Sequence, residues 1–262
     1  VKTALMSSFP AEVQESPPAF TVVEMPGEYQ FVYNSIMCSA NIPDGDSERR
    51  TFRKEGLYAV SARGLTFFEG ALAQGDSVGA YNETLNIVDR MLRVKPSTVL
   101  VDCTAYLRHI QDGPAVRGAV AEAVGEKGFI QPALTIVQGG GLPSSKSVLL
   151  RCTATLDNSA LRSIDTTSGH VVMTSSFAFA SAQLDKNSTG INALNSLGKV
   201  LKYANLTLNE TITCSFFVKD QQKMFDLFGG FYEIFNKENP PPPARGEYEA
   251  INECDECQVA AK

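Results

Sequence analysis

The chain has 262 residues, a formal net charge of −6 and a hydrophobic fraction of 44%. That apolar content excludes a disordered chain, and the length fits one large domain or two of roughly 110–150 residues each. The acidic balance argues against a protein that binds nucleic acid through its phosphates. Because no stretch approaches the ~18–20 apolar residues of a membrane span, we expect no membrane-spanning segment.

The N-terminal part of the chain carries no strong periodic pattern. Residues 1–19 place prolines among Ser and Glu and predict a loose arm. Two short apolar runs, Phe20–Val23 and Tyr29–Tyr33, are candidate extra strands. Residues 44–54 are rich in charge and predict a solvated loop, whose basic side chains could instead form a local anion-binding patch.

Residues 57–155 follow a clear order of strands and helices. Gly64 breaks the first apolar run, Pro96 ends the first helical pattern, and Pro114 suits the first turn of a second helix. Apolar residues recur at helical spacing in the first helix, and the segment after it is β-branched. The predicted elements are a strand and turn over 57–68, a helix over 79–94, a strand over 98–110, a helix from 114 to about 124, and strands over 131–138 and 147–155.

The same order returns after residue 168. The two helices of this second half begin near 191 and 224, a spacing close to that between 79 and 114 in the first half. Because the helices do not alternate strictly with strands, we expect an α+β fold with helices on one face of a mixed sheet. The predicted elements are a strand over 170–179, a helix over 191–204, a strand over 210–218, a helix over 224–235, and short strands over 246–251 and 257–261.

Six cysteines occur in the chain. Cys103 and Cys214 lie in apolar strand-like runs, and we expect both to be buried free thiols. Cys254 and Cys257 form a C-x-x-C pair. Because a zinc site needs four ligands and the chain has only two histidines, we expect no metal, and a redox or disulfide role for this pair stays open.

The segment Asn239–Arg245, N-P-P-P-P-A-R, lies between a Phe-rich helix and a predicted strand. This arrangement resembles the RidA (YjgF) family, as do Ile212–Asp220 and the helix that follows it. Val99–Ile110 and Gln131–Thr155 resemble the same family independently. The resemblance covers roughly residues 57–262.

The resemblance implies a chorismate-mutase-like α+β fold, present twice in this chain. We expect a loose arm over 1–19, a degenerate first RidA-like domain with an N-terminal extension over 20–155, and a second RidA-like domain over 156–262. Family members form trimers around a central barrel. A fused pair of domains would fill two of the three subunit positions of such a trimer. The resemblance therefore implies a homo-oligomer or a part of a larger assembly.

The family's chemistry is hydrolysis of reactive 2-imino or enamine acids to 2-oxo acids and ammonia, in clefts between subunits and without a cofactor. An arginine binds the substrate carboxylate, and a planar guanidinium suits that task because it donates two parallel hydrogen bonds. The resemblance places this arginine at Arg245. In the first repeat its position is taken by Leu134, so we expect that repeat's own cleft to be inactive.

Other positions depart further from the family. The acidic residue of the last strand aligns with Arg151 in the first repeat, and with Glu256 or Gln258 in the second, which we take as the catalytic candidates. Gly229 stands where a substrate-binding asparagine is usual, and Glu247 where the family has a cysteine.

The resemblance assigns substrate binding to Ser175, Ser176 and Tyr232 together with Arg245. Each of these three has an ordinary structural interpretation as well, since strand serines and core tyrosines are common.

These departures leave three functions open: a RidA-type deaminase, a non-catalytic binder of a small carboxylate, and a structural subunit of a larger assembly. We expect at most a weak 2-imino or enamine acid deaminase or a small-carboxylate binder through Arg245, with a non-catalytic structural or interaction subunit as the alternative. Whether the protein is an enzyme stays open.

By analogy with the family, we expect a mitochondrion or plastid before the cytoplasm, since the chain begins at Val1 and a targeting segment could have been removed. Secretion is the other hypothesis, because N-x-S/T sequons begin at Asn82, Asn187, Asn205 and Asn209.

Overall fold

The computed structural model describes residues 50–62, 64–139, 141–182, 190–218, 229–231, 233–235, 244–249, 251–252 and 259–261. Two mixed β-sheets carry helices on their outer faces. The helices are α1 (Ala80–Val94), α2 (Gly113–Gly125) and α3 (Gly190–Lys202). The strands are β1 (Arg50–Lys54), β2 (Leu57–Ala62), β3 (Leu65–Phe68), β4 (Ala71–Leu72), β5 (Val99–Leu107), β6 (Ala133–Gln138), β7 (Val148–Thr155), β8 (Arg162–Thr166), β9 (Gly169–Met173), β10 (Ala178–Ala182), β11 (Thr213–Val218), β12 (Ala244–Glu249), β13 (Ile251–Asn252) and β14 (Val259–Ala261).

The first sheet has the strand order β1-β2-β3-β7-β5-β6-β13, with β4 also paired to β7. Strands β5 and β6 are parallel, and β7 runs antiparallel to β5. Helices α1 and α2 pack on one face of this sheet, where Ile87, Met91, Val116 and Val120 meet Leu150 in a continuous apolar core. We call this sheet with its two helices the first unit.

The second sheet repeats that arrangement. Its order is β12-β11-β14-β10-β9-β8, which matches β6-β5-β7-β3-β2-β1 strand for strand. Strand β11 is parallel to β12 and antiparallel to β14, as β5 is to β6 and β7. Leu194 and Leu197 of α3 form its core with Phe231 and Phe235, which lie in described helical residues. This second unit confirms the predicted tandem repeat of one α+β fold.

The two sheets pack against each other through the faces that carry no helices. Tyr106, Val137 and Leu149 of the first sheet form one apolar cluster with Phe217 of the second. The rings of Tyr106 and Phe217 meet edge to face with centroids 6.5 Å apart. A second cluster joins Val101 and Ala133 to Val172, so apolar contacts link the units at two places.

The structure corrects the predicted loop over residues 44–54 in its last five residues, and residues 44–49 lie outside the described residues. Residues Arg50–Lys54 form edge strand β1, which pairs with β2 over its full length. Phe52 is half-buried and its ring meets that of Phe68 edge to face at 6.3 Å. The basic side chains around Phe52 are exposed, as charged residues usually are on an edge strand.

The predicted strand over residues 170–179 is also corrected. It is two strands, β9 and β10, separated by a bend at Ser175 and Ser176. Strand β8 was not predicted, because its sequence R-S-I-D-T is polar and exposed along most of its length. Near the C-terminus, Ala244–Glu249 forms β12, and Ile251–Asn252 pairs with β6 of the first sheet.

Cys103 is not a free thiol. It forms a disulfide with Cys152, with the two Cα atoms 4.1 Å apart. Both residues lie directly opposite each other in the β5–β7 register and face the helix-side core. Cys214 is a free, buried cysteine, as predicted. Cys254 and Cys257 lie outside the described residues.

Candidate functional site

The heads of the two parallel strand pairs are equivalent in register. In the first unit Leu134 pairs with Cys103, and in the second unit Arg245 pairs with Cys214. Each of these β6 and β12 residues follows a Pro-Ala pair in the sequence. The backbone pairing therefore supports, independently of the sequence likeness, that Leu134 occupies the position of Arg245.

In the first unit the side chain at this strand head is apolar. Leu134 is buried in the core between the sheet and its helices. Its neighbour Thr135 is also buried, and its hydroxyl has no hydrogen-bond partner among the described residues. Half-buried Arg151 lies in the same cross-strand row, with Thr104 between the two. Leu134 therefore brings neither a charge nor a hydrogen-bond donor to this position, and the role expected for Arg245 stays a prediction.

The two catalytic candidates, Glu256 and Gln258, lie outside the described residues. They precede β14 in the sequence, where Val259 pairs with Val218 of β11. Their catalytic role stays a prediction.

Ser175 and Ser176 are exposed in the bend between β9 and β10, with their Oγ atoms 3.4 Å apart. The bend is held by Thr174, whose Oγ1 accepts the backbone N–H groups of Ser176 and Phe177 at 3.3 and 2.9 Å. Hydrogen bonds from Ser159 and then from Ser175 hold the pKa of Asp157 below its ordinary value. The bend thus lies beside a carboxylate that is ionised at neutral pH.

Tyr232 lies outside the described residues. The backbone of Arg245 is described within β12, and the adjoining helical residues 229–231 and 233–235 belong to the same unit. Ser175 and Ser176 are thus the predicted site residues whose side chains the structure places.

A polar group that the sequence analysis missed lies on the β8–β9 hairpin. His170 is opposite Asp165 in register, and its Nδ1 is 2.9 Å from the Asp165 carboxylate. Its Nε2 is 2.9 Å from the hydroxyl of Ser163. Burial lowers the pKa of His170, the charge of Asp165 raises it, and that of Arg117 on α2 lowers it. The residue types alone gave no signal, because the three meet only through the hairpin register.

A surface groove lies along α3, away from these side chains. It is open and polar, and none of the predicted site residues lines it. Among the residues that the structure describes, no group of three or more His, Cys, Asp or Glu side chains could hold a metal ion. Within that same part of the chain, no helix is long and apolar enough to cross a membrane.

A comparison with models of protein families finds no match, and a comparison with curated proteins finds none either. Solved structures do match. A chorismatase is similar over 80% of this chain and 77% of its own, with 12% identity and a TM-score of 0.52. A YjgF-family protein from Neisseria meningitidis matches 42% of this chain and 95% of its own, with 20% identity and a TM-score of 0.34.

A YjgF-family protein from Mycobacterium tuberculosis matches 41% of this chain and 99% of its own, with 19% identity and a TM-score of 0.35. The chorismatase match extends over both units. Together with the repeated strand order, it confirms the predicted fold, a tandem pair of RidA-like α+β units. At these identities the likeness is one of fold.

Proposed function

We propose that this protein binds a small 2-oxo or 2-imino carboxylate through Arg245 and hydrolyses it slowly or not at all. The observation that carries the proposal is the shared register of the two parallel strand pairs, in which Arg245 and Leu134 occupy one position. A guanidinium at a strand head suits a carboxylate, because it donates two parallel hydrogen bonds to the two oxygens. A leucine offers neither charge nor donor.

Slow chemistry is expected from what surrounds that position. Hydrolysis of an imine needs a group that exchanges protons with water and substrate. The first unit has Arg151 at the acid's position, and the second unit offers only the sequence candidates Glu256 and Gln258 for that role. Ser175, beside the ionised Asp157, is the described polar group that we assign to substrate contact together with Ser176 and Tyr232.

The test is titration calorimetry with 2-oxobutanoate. We expect Arg245→Ala to weaken binding about 10- to 100-fold, since removing one partner of a charge-assisted bidentate pair leaves the carboxylate without compensation. Leu134→Ala is the matched control at the equivalent strand head and should leave the affinity unchanged. Arg245→Lys should recover only part of the binding, because an ammonium cannot donate the same paired hydrogen bonds.

An assay of ammonia release from freshly generated 2-iminobutanoate separates the binder from the deaminase. Slow or absent release supports the proposal, whereas fast turnover would show that another side chain supplies the proton transfer. If the folded protein binds 2-oxobutanoate no better than Arg245→Ala does, the carboxylate-binding proposal is wrong. The structural-subunit hypothesis then takes its place.

The match to chorismatase supplies a second candidate ligand. That match spans both units of this chain, whereas each YjgF-family match spans about two fifths of it. The name chorismatase denotes action on chorismate, which is a dicarboxylate and thus within reach of a carboxylate-binding arginine. The same calorimetry with chorismate, in the wild type and in Arg245→Ala, shows whether the ligand is a small oxo acid or this larger dicarboxylate.

A further inference from the structure

Three side chains of the β8–β9 hairpin form a continuous hydrogen-bonded line. Asp165 and His170 are cross-strand partners, and Ser163 lies two residues before Asp165 on the same face of β8. The Nδ1 atom of His170 is 2.9 Å from the Asp165 carboxylate, and its Nε2 atom is 2.9 Å from Ser163 Oγ. The imidazole is therefore oriented from both of its nitrogens.

This geometry fixes the direction of proton donation. A carboxylate only accepts hydrogen bonds, so Nδ1 carries the ring proton and donates a hydrogen bond to Asp165. The lone pair of Nε2 then accepts the hydroxyl proton of Ser163. A serine, a base beside it and a third group that orients the base are the parts of an activated nucleophile, on whatever fold they occur.

Exposure separates the three roles. The side chain of His170 is 15% exposed, whereas that of Asp165 is 89% exposed and Ser163 is also exposed. The base is thus shielded and the nucleophile is open to a substrate. The charged groups that face His170 are Asp165 on β8 and Arg117 on α2. Burial, and less strongly Arg117, lowers the pKa of the imidazole, and Asp165 raises it, so that the pKa lies below its ordinary value.

We propose that Ser163, His170 and Asp165 form a nucleophilic site that transfers the acyl group of small carboxylic esters to water. Ser163 Oγ forms a bond to the carbonyl carbon while its proton passes to His170 Nε2. The bond to the leaving alcohol then breaks, and that alcohol takes the proton. Water repeats the sequence on the acyl-serine and releases the acid, with His170 again exchanging the proton. This activity is independent of Arg245.

Because the site lies on an open hairpin surface, reactivity towards a serine-directed probe is its most direct measure. The experiment treats the full chain with a fluorophosphonate and maps the modified peptide by mass spectrometry. We expect the label on Ser163 and none there in Ser163→Ala. His170→Gln should slow labelling about 100-fold, the effect of losing a general base. Asp165→Asn should slow it about 10-fold, because an exposed carboxylate is screened by solvent.

Ser159→Ala is the matched control. Ser159 is exposed and donates a 2.6 Å hydrogen bond to Asp157, so it has a carboxylate partner, and no imidazole is bonded to it among the described residues. Labelling at Ser163 should be unchanged in this variant. A chain in which Ser159 and Ser163 react at equal rates would show that only exposure governs reactivity, and would overturn the proposal.

The pH profile of wild-type labelling needs no variant. The rate should rise with pH through a midpoint below 6.5, because the neutral imidazole is the reactive form and its pKa lies below the ordinary value. A hairpin network with only a structural role would give no such midpoint. Absence of label at Ser163 in the folded wild type, or equal labelling rates in His170→Gln and the wild type, would likewise overturn the proposal.

Discussion

At the residue scale, the side chain of Glu83 links helix α1 to the first residues of β7. It is 1% exposed, and its Oε2 accepts the backbone N–H groups of Ser147 and Val148 at 2.8 and 3.0 Å. These donors lie at the start of β7, where Val148 pairs with Leu107 of β5. The Glu83 side chain thus fixes the start of β7 to helix α1.

Glu83→Ala should lower the free energy of unfolding by about 2–4 kcal/mol, since it leaves two N–H groups in a buried environment without an acceptor. Glu83→Gln keeps one acceptor oxygen and should lose less. The measurement is urea denaturation, with exposed Glu126→Ala as a control that should stay within about 0.5 kcal/mol of the wild type. A Glu83→Ala chain as stable as the control would contradict this role.

At the element scale, strands β5 and β7 are joined covalently as well as by hydrogen bonds. The Cys103–Cys152 disulfide closes a loop of 49 residues that contains α2 and β6. A cross-link of this span restricts the unfolded chain much more than the folded one.

Reduction should lower the free energy of unfolding by about 2–4 kcal/mol, the usual contribution of one disulfide. The measurement compares urea midpoints with and without reductant. In Cys103→Ala/Cys152→Ala the reductant should have no such effect, whereas Cys214→Ala, which removes a buried free thiol, should respond like the wild type. An unchanged wild-type midpoint under reductant would show that the bond adds no stability.

The elements that sequence analysis predicted are those whose apolar residues face one core. Helix α1 and strands β5 to β7 were predicted within a few residues, because their buried positions follow helical or strand spacing. The edge strands β1 and β8 were missed. Most of their residues are charged or polar and exposed, so their sequences lack the alternation of apolar and polar residues that predicts a strand.

The candidate site was predicted only in part for a related reason. The Pro-Ala-Arg motif is contiguous, so the sequence could indicate Arg245 as a candidate, and its role stays a prediction. Residues 103 and 152, and likewise residues 163 and 170, meet only through strand register, which is set by tertiary pairing. No spacing in the chain indicates such pairs in advance.

At the scale of the whole molecule, the two units share a strand order but not the residues at the equivalent strand heads. The first has Leu134 where the second has Arg245. Apolar contacts between the helix-free sheet faces use residues of both units. The expected assembly into larger oligomers stays a prediction.

Phe217 is the residue through which this coupling can be measured. It is buried, belongs to β11 of the second sheet and packs with Tyr106, Val137 and Leu149 of the first. Phe217→Ala should lower the free energy of unfolding by about 3–5 kcal/mol, as for other buried phenylalanines. Because the lost contacts join the two units, the single urea transition should also separate into two.

Phe216→Ala is the matched control, since Phe216 is equally buried but packs in the core between the second sheet and its own helices. Phe216→Ala should lower the free energy of unfolding by a similar amount, because it removes packing inside the core of the second unit and not between the units. A double-mutant cycle of Tyr106→Ala with Phe217→Ala should give a coupling of about 0.5–1.5 kcal/mol for the edge-to-face pair. A coupling energy of zero, together with a single urea transition in Phe217→Ala, would contradict this role. The contact between Tyr106 and Phe217 would then contribute nothing to the coupling of the two sheets, and other contacts would hold them together.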